Sequence, residues 1–313
     1  MIQNMTENAI LAEELRKTYD EVVAVDHISL AVPRGTVLGL LGANGAGKTT
    51  MVRMLTTVAP PTSGRGVVNG FDVHAHPQAV RRSIGLAGQY AAVDENLTGR
   101  ENLYLVGRLN HMSKPDARSR ATALLDQFRL SDAGDRPVRT YSGGMRRRLD
   151  LGAALVSQPP VLFLDEPTTG LDPASRLDLW EVIETLVADG TTVLLTTQYL
   201  EEADRLADNI VVIDKGLVAA EGTAKQLKAR LGDTVIELEF AKAATAEEAA
   251  VVLGTTTTAS TIVRTVMADG PTTLRDALNR LDKHGIVPAH VALREPTLDD
   301  VFLALTGTNG AAQ

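Results

Sequence analysis

The spacing of apolar residues divides the chain into strands and helices. Residues 10–19 and 22–32 alternate apolar with polar positions, the pattern of half-buried strands, and Pro33-Arg34-Gly35 turns the chain after them. Residues 37–41, 83–89 and 191–197 are instead short, nearly continuous apolar runs that predict buried strands, and 161–164 predicts a strand buried on both faces. Residues 66–70, 210–213 and 217–220 read as further short strands. Elsewhere the spacing becomes helical: one helix opens at Thr50, and others are predicted over 146–157, 173–188 and 200–207. Leu103, Val106 and Leu109, then Ala121, Leu124, Leu125 and Phe128, place further helices within 98–110 and 115–129. These form a helical insertion that closes at Asp135-Arg136-Pro137, with Arg100, Arg108, Arg118 and Arg120 expected on its solvated face. Strands alternating with helices predict an α/β fold, a parallel sheet with helices on both faces.

Near Gly232 the texture changes. Residues 235–240 alternate as a strand, 255–266 are rich in β-branched residues, and 286–293 read as a strand again. Helices are expected over 247–253, 274–284 and 298–305. This β-α-β-α-β-α order predicts a small α+β domain over 232–306, ferredoxin-like, after a large domain over 1–231. Residues 307–313 are expected to be a disordered tail. The small domain has no glycine loop and no clustered carboxylates, so no chemistry is assigned to it.

Composition narrows the function. With 44% hydrophobic and 22% charged residues in 313, the chain reads as a folded, soluble protein. Its net charge of −8 argues against nucleic acid as the main partner. The absence of cysteine excludes disulfides and thiolate metal sites. No stretch reaches the ~18 uncharged apolar residues of a membrane span, so the chain is not expected to cross a membrane by itself. Residues 1–7 lack the basic start and apolar core of a signal peptide. His74, His76, His284 and His290 have no further ligands at metal spacing and are expected on the surface.

The chemistry concentrates at strand ends. Gly42-Ala43-Asn44-Gly45-Ala46-Gly47-Lys48-Thr49, followed by Thr50, sits between an apolar strand and a helix opening, the context that makes G-x-x-x-x-G-K-[ST] a P-loop. Small residues let consecutive N–H groups face one phosphate, and the helix start adds unpaired N–H groups and a positive dipole end. Lys48 then reaches the β- and γ-phosphates, and the Thr49 hydroxyl ligates Mg²⁺. Asp165 and Glu166 end the run that begins at Val161, at the strand edge where parallel sheets bind ligands. Asp165 suits Mg²⁺, and Glu166 is placed to orient or deprotonate a water. Ser142-Gly143-Gly144 precedes a helix and repeats the device of exposed N–H groups, although a plain helix cap explains it equally. Arg146-Arg147-Arg148 is unfavourable at the positive end of a helix, which points either to an anion or acidic neighbour or to a solvated face. Tyr19 suits either an adenine-stacking ring or a half-buried strand residue.

Taken together, these motifs resemble the ATPase subunits of ABC transporters over 10–231. The family's own motif stands here as Tyr141-Ser142-Gly143-Gly144-Met145, where leucine and glutamine are usual at the ends. The resemblance implies a RecA-like parallel core, an antiparallel β subdomain and a helical subdomain at about 90–145. It implies ATP and Mg²⁺ as cofactors, held by Gly42, Asn44, Gly45, Ala46, Gly47, Lys48, Thr49 and Thr50. Gln89 looks like the Q-loop glutamine near Mg²⁺, Asp172 like the D-loop aspartate and Tyr19 like the adenine-stacking aromatic. Ser142, Gly143 and Gly144 would cap a nucleotide held by a second copy in a head-to-tail homodimer. Where the family has a switch histidine, this chain has Gln198, whose amide donates a hydrogen bond but cannot take up a proton or charge.

That glutamine, the 140–150 run and the ending at 295–307 resemble the daunorubicin/doxorubicin-resistance type. Such subunits lie on the cytoplasmic face of the bacterial membrane and drive export of a hydrophobic drug, antibiotic or lipid. The compound contacts a separately encoded permease rather than the ATPase chain. The rivals are an importer ATPase and a non-transport soluble ATPase of the same superfamily. The latter's coiled-coil arms do not fit between Thr49 and Ser142, and its zinc modules need cysteines.

Overall fold

The computed structural model describes residues 7–88, 93–230, 234–255, 257–266 and 271–307. Gln89 therefore lies outside the described residues, as do 308–313. The chain divides into two compact units, Met1–Ala224 and Lys225–Gln313.

In the first unit, β1 (Asn8–Tyr19) and β2 (Val22–Pro33) form a long hairpin that leads into β3 (Val37–Leu41) and α1 (Lys48–Leu55). Then come β4 (Ser63–Val68), β5 (Phe71–Asp72), α2 (Pro77–Ser83) and β6 (Ile84–Ala87). The strand expected over 66–70 is a hairpin instead. Asn69 and Gly70 have φ of 50° and 83°, so Asn-Gly makes the tight turn between β4 and β5 that suits a twisted hairpin. Helix α2 was not expected; Pro77 opens it where a proline costs no hydrogen bond, and Val80 is buried. The helical insertion holds α3 (Gly99–Leu109) and α4 (Lys114–Gln127), before α5 (Gly143–Ala154). Thr98 and Glu101 close a capping box at the start of α3.

Arg120 departs from its expected place on a solvated face. It is partly buried and donates to the carbonyls of Leu155 (2.7 Å) and Val156 (3.3 Å), where α5 runs out of intrahelical partners. Arg100 is spent on Asp135 at 2.7 Å. The unit continues with β7 (Val161–Asp165), α6 (Pro173–Ala188), β8 (Thr192–Thr197), α7 (Leu200–Leu206), β9 (Asn209–Asp214) and β10 (Leu217–Gly222).

Two sheets result. One is antiparallel, ordered β2-β1-β4-β5; the other is ordered β10-β9-β3-β8-β7-β6 and parallel apart from β10. Strands β3, β7 and β8 are buried at every position, which is why they read as continuous apolar runs. Their alternate residues feed separate cores. Val37, Leu162, Leu164, Val193 and Leu195 pack with Leu103, Leu149 and Trp180 of the helical side. Leu38, Leu40, Val161, Phe163 and Leu194 pack with Met51 and Met54 of α1 and with Ile10 and Val68 of the antiparallel sheet.

The second unit begins in α8 (Ala224–Ala229) and continues with β11 (Val235–Glu239), α9 (Ala243–Leu253), β12 (Thr257–Ala259), β13 (Ile262–Val266), α10 (Pro271–Asp282), β14 (His290–Arg294) and α11 (Leu298–Gly307). The β-branched stretch is a hairpin of β12 and β13 rather than one strand, because Ser260 and Thr261 turn the chain. That gives β-α-β-β-α-β in the sheet order β12-β13-β11-β14, the ferredoxin-like arrangement. Ile236, Leu238 and Val263 face Ala246, Ala249 and Leu281 in its core. Helix α11 runs to Gly307, past the expected end at 305.

Candidate nucleotide site

The loop between β3 and α1 is shaped by what surrounds it. A Cβ on Gly42 would meet the Ile213 carbonyl at 2.4 Å, and one on Gly47 the Ala24 carbonyl at 2.5 Å. Gly47 also has φ of 113°, outside the range of a side-chain-bearing residue. The loop is thus clamped between β2 and the end of β9, which fixes its open face. That face lines a cleft of about 390 Å³, together with Ala24, Asn44, Gly45, Gly47, Lys48, Thr49, Thr50, Glu166, Thr169 and Gln198.

Lys48 is only 4% exposed, and its ammonium is fully engaged. It donates to the carbonyls of Gly42 (2.8 Å) and Ala43 (3.1 Å) and lies 3.4 Å from Glu166 Oε1. A buried cation needs such partners, since an isolated charge is expensive away from water. Asp165 faces the start of α1: its Oδ1 accepts from the Thr49 hydroxyl at 3.1 Å and from the Thr196 hydroxyl at 2.5 Å. Hard oxygen donors on a buried strand end suit a divalent cation such as Mg²⁺. Here Thr49 and Asp165 would hold it, and it would neutralise phosphate charge.

Glu166 carries the clearest local signature. Its φ is 51°, unusual for a residue with a side chain, and such strain persists only where the surroundings over-determine it. Its N–H donates to the Thr196 hydroxyl at 3.0 Å and the Thr196 carbonyl at 3.1 Å, while the Thr169 hydroxyl reaches Glu166 Oε2 at 3.4 Å. Thr196 therefore holds the Asp165 carboxylate and the Glu166 backbone, a role the sequence reading did not give it. One threonine at the end of an apolar run carries no periodic signal, so only the pairing of β7 with β8 reveals it.

Behind this layer lies a buried charge network. Glu202 is completely buried and its Oε1 accepts from Trp180 Nε1 at 3.0 Å. Burial pushes its carboxyl above the usual range, opposed by the Thr197, Trp180 and Thr168 groups and the Arg147 charge. Glu202 Oε2 itself has no partner of good hydrogen-bond geometry among the described residues.

Ser142, Gly143 and Gly144 are elsewhere, at the start of α5, and do not line the cleft. Ser142 Oγ accepts from Met145 N–H at 3.2 Å, capping its own helix. A Cβ on Gly143 would meet nothing within 4 Å among the described residues. The neighbouring arginines do have acidic partners: Arg146 meets Glu95 at 2.9 Å, Arg147 meets Asp150 at 3.5 Å and Arg148 meets Asp178 at 3.9 Å. Asp172 caps α6, and bonds from Ser175 hold its carboxyl below the usual range. Tyr19 is 41% exposed at the β1–β2 turn with Lys17 above its ring, and it does not line the cleft. His74, His76, His284 and His290 are all exposed. Among the described residues no helix is long and apolar enough to cross a membrane.

Sheet, loop and paired carboxylates together define a P-loop ATPase of the α/β class. A family model described as ABC transporter matches residues 25–169. The chain is similar to the daunorubicin resistance ATP-binding protein DrrA3 of Streptomyces coeruleorubidus, with 51% identity over 97% of each chain. It is also similar to the Nod factor export ATP-binding protein I of Ralstonia nicotianae, with 39% identity over 94% of this chain and 92% of the relative. A solved structure titled as the ATP binding subunit of an ABC transporter superposes with a TM-score of 0.65 and 28% identity, covering 72% of this chain and 93% of that one. The chain belongs to the ABC transporter ATP-binding subunits, in the daunorubicin/doxorubicin-resistance group; it binds and hydrolyses ATP.

Proposed function

We propose that this chain powers export of a hydrophobic drug or antibiotic through a separately encoded membrane permease, seated on the cytoplasmic face of the membrane as a peripheral homodimer. The observation that supports this most is the 51% identity, which spans the small C-terminal unit as well as the ATPase unit. The names of the relatives differ in cargo but agree on resistance or export. The cargo of this chain is thus assigned by chemical class alone.

In this reading Gly42 to Thr50 cradle the phosphates of MgATP, Tyr19 stacks on the adenine, and Thr49, Gln89 and Asp165 serve the metal. Lys48 leaves its loop carbonyls and Glu166 for the phosphates, which frees the Glu166 carboxylate to take a proton from the attacking water. Gln198 lines the same cleft and positions the γ-phosphate and water by hydrogen bonding alone. Ser142, Gly143 and Gly144 of one copy cap the nucleotide of the other, and Asp172 lies at that junction. The domains are a cassette over 1–231, with its helical subdomain at about 90–145, and a small C-terminal domain over 232–306.

The test is efflux of a fluorescent anthracycline from cells expressing the chain with its membrane subunit. Efflux is expected with the parent chain and none with Lys48→Ala, which removes the cation facing the phosphates. Uptake in place of efflux overturns the export reading. ATP turnover by Lys48→Ala near the parent rate overturns the site assignment.

A further inference from the structure

Arg147 stands one turn into α5, a helix whose exposed start is the Ser142-Gly143-Gly144 motif, yet its own side chain is only 12% exposed. All five of its guanidinium N–H groups are engaged, four of them by backbone carbonyls. Nε donates to Pro167 O at 2.6 Å, and Nη2 donates to Asp165 O at 3.3 Å and Glu166 O at 3.1 Å. Nη1 donates to Gly88 O, just past β6, and to Asp150 Oδ2 at 3.5 Å. A single side chain therefore ties α5 to the end of β6 and to the turn that carries both site carboxylates.

The turn needs such a tie. Glu166 holds φ of 51°, with its N–H fixed by Thr196 on one side and its carbonyl fixed by Arg147 on the other. Burial pulls the Arg147 guanidinium below its ordinary value, and the carboxylates of Asp150, Glu202 and Asp165 pull it back up. A planar fork is required to serve carbonyls from several segments at once. Lysine, with three donors on one nitrogen, keeps the charge but not the fork.

We propose that Arg147 is a positioning residue for hydrolysis, holding the Asp165–Glu166 turn in its strained geometry and locking that turn to the helix that opens with Ser142. The proposal rests on the roles given above to Asp165 and Glu166. Arg147 lines no part of the phosphate cleft, so its loss falls on turnover and spares nucleotide binding. Small misplacements of reacting groups cost up to about a hundredfold, which sets the expected scale.

The experiment compares the full-length parent with Arg147→Lys, Arg147→Met and Glu166→Gln, measuring MgATP affinity, kcat and the emission of Trp180, the chain's single tryptophan. Both Arg147 variants are expected to bind MgATP within about threefold of the parent while kcat falls roughly ten- to a hundredfold. Arg147→Met should also shift Trp180 emission, because Glu202, which accepts from the indole N–H, loses the Arg147 charge; Arg147→Lys should not. An Arg147→Lys variant with kcat within twofold of the parent overturns the proposal. So does one that unfolds, or that loses affinity in step with turnover, since Arg147 then serves stability alone. If Glu166→Gln itself turns over ATP normally, the assignment of the carboxylates has failed instead, whatever the Arg147 variants do.

Discussion

Lys48, Asp165 and Glu166 are between 4% and 7% exposed, and each is bonded within its own chain. Ser142 and Gly143 are exposed, and the Ser142 hydroxyl caps its own helix. The first group forms a finished site within one chain: the Gly42 and Ala43 carbonyls and Glu166 surround the Lys48 ammonium, and the Thr49 and Thr196 hydroxyls hold the Asp165 carboxylate. The second is a set of N–H groups at a helix start, with open space before Gly143 among the described residues. Such a contrast is expected where one chain supplies the phosphate pocket and a second copy supplies the cap. It also separates what each half should do when damaged, and the outcomes range from large to small.

Glu166→Gln should have the largest effect on turnover. The amide keeps the shape but loses the basicity, and a general base contributes ~10²–10⁴-fold. ATP should remain bound and hold a closed dimer, seen as a nucleotide-dependent doubling of mass in light scattering. Turnover within tenfold of the parent would show that another group deprotonates the water.

Damage to the open half should look different. Ser142→Ala removes the helix cap, at a cost of about 1 kcal/mol in the isolated chain, and it should spare initial ATP binding while impairing hydrolysis and dimer closure. Geometry is checked by disulfide trapping, since the chain has no cysteine of its own. Gly45 has φ of 82°, so the first cysteine is better placed at Asn44, paired with Ser142→Cys. Crosslinks are expected between copies when ATP is present in the Glu166→Gln background. A bond that forms only within one chain breaks the comparison.

Gln198 lies in the finished half but cannot act as an acid or base. Gln198→Ala should therefore lower turnover less than Glu166→Gln does, and Gln198→His should be tolerated. Steady-state hydrolysis by these variants decides it: equal inactivity of Gln198→Ala and Glu166→Gln, with ATP still bound by both, would merge the two roles.

The finished half was also the more legible in sequence, for a physical reason. A phosphate loop needs specific small residues at fixed spacing, and a strand buried on both faces is an uninterrupted apolar run, so 37–49 and 161–166 announce themselves. What stayed hidden depends on contacts between distant segments. Thr196 holds the Asp165 carboxylate and the Glu166 N–H only because β8 lies beside β7, and Arg147 reads in sequence as one of three adjacent arginines. Asn69-Gly70 was legible as a turn but was absorbed into a strand. The hairpin at 257–266 was missed because Ser260 and Thr261 do not punctuate a β-branched stretch as glycine or proline would.

The smallest expected effect is on stability against pH, and it sets one carboxylate from each half in opposition. Burial raises Glu202 above its ordinary value of 4.5, so its protonated form favours the fold. That contribution is complete below about pH 4.5 and is lost as pH rises through the folded-state value. Asp172 is held below its ordinary value of 3.8, chiefly by the Ser175 N–H and then by the Ser175 hydroxyl. Its contribution is present above about pH 3.8 and is lost as pH falls further. Glu202→Gln removes the first titration and keeps a group that can accept from Trp180, while Asp172→Asn keeps a good helix cap and removes the second. Melting temperatures of parent and variants across pH 3 to 8 give the check. The advantage of Glu202→Gln over the parent should grow with pH, and the deficit of Asp172→Asn should shrink as pH drops below 4. If both differences trend the same way, the buried layer behind the cleft and the exposed start of α6 are not the contrasting environments described above.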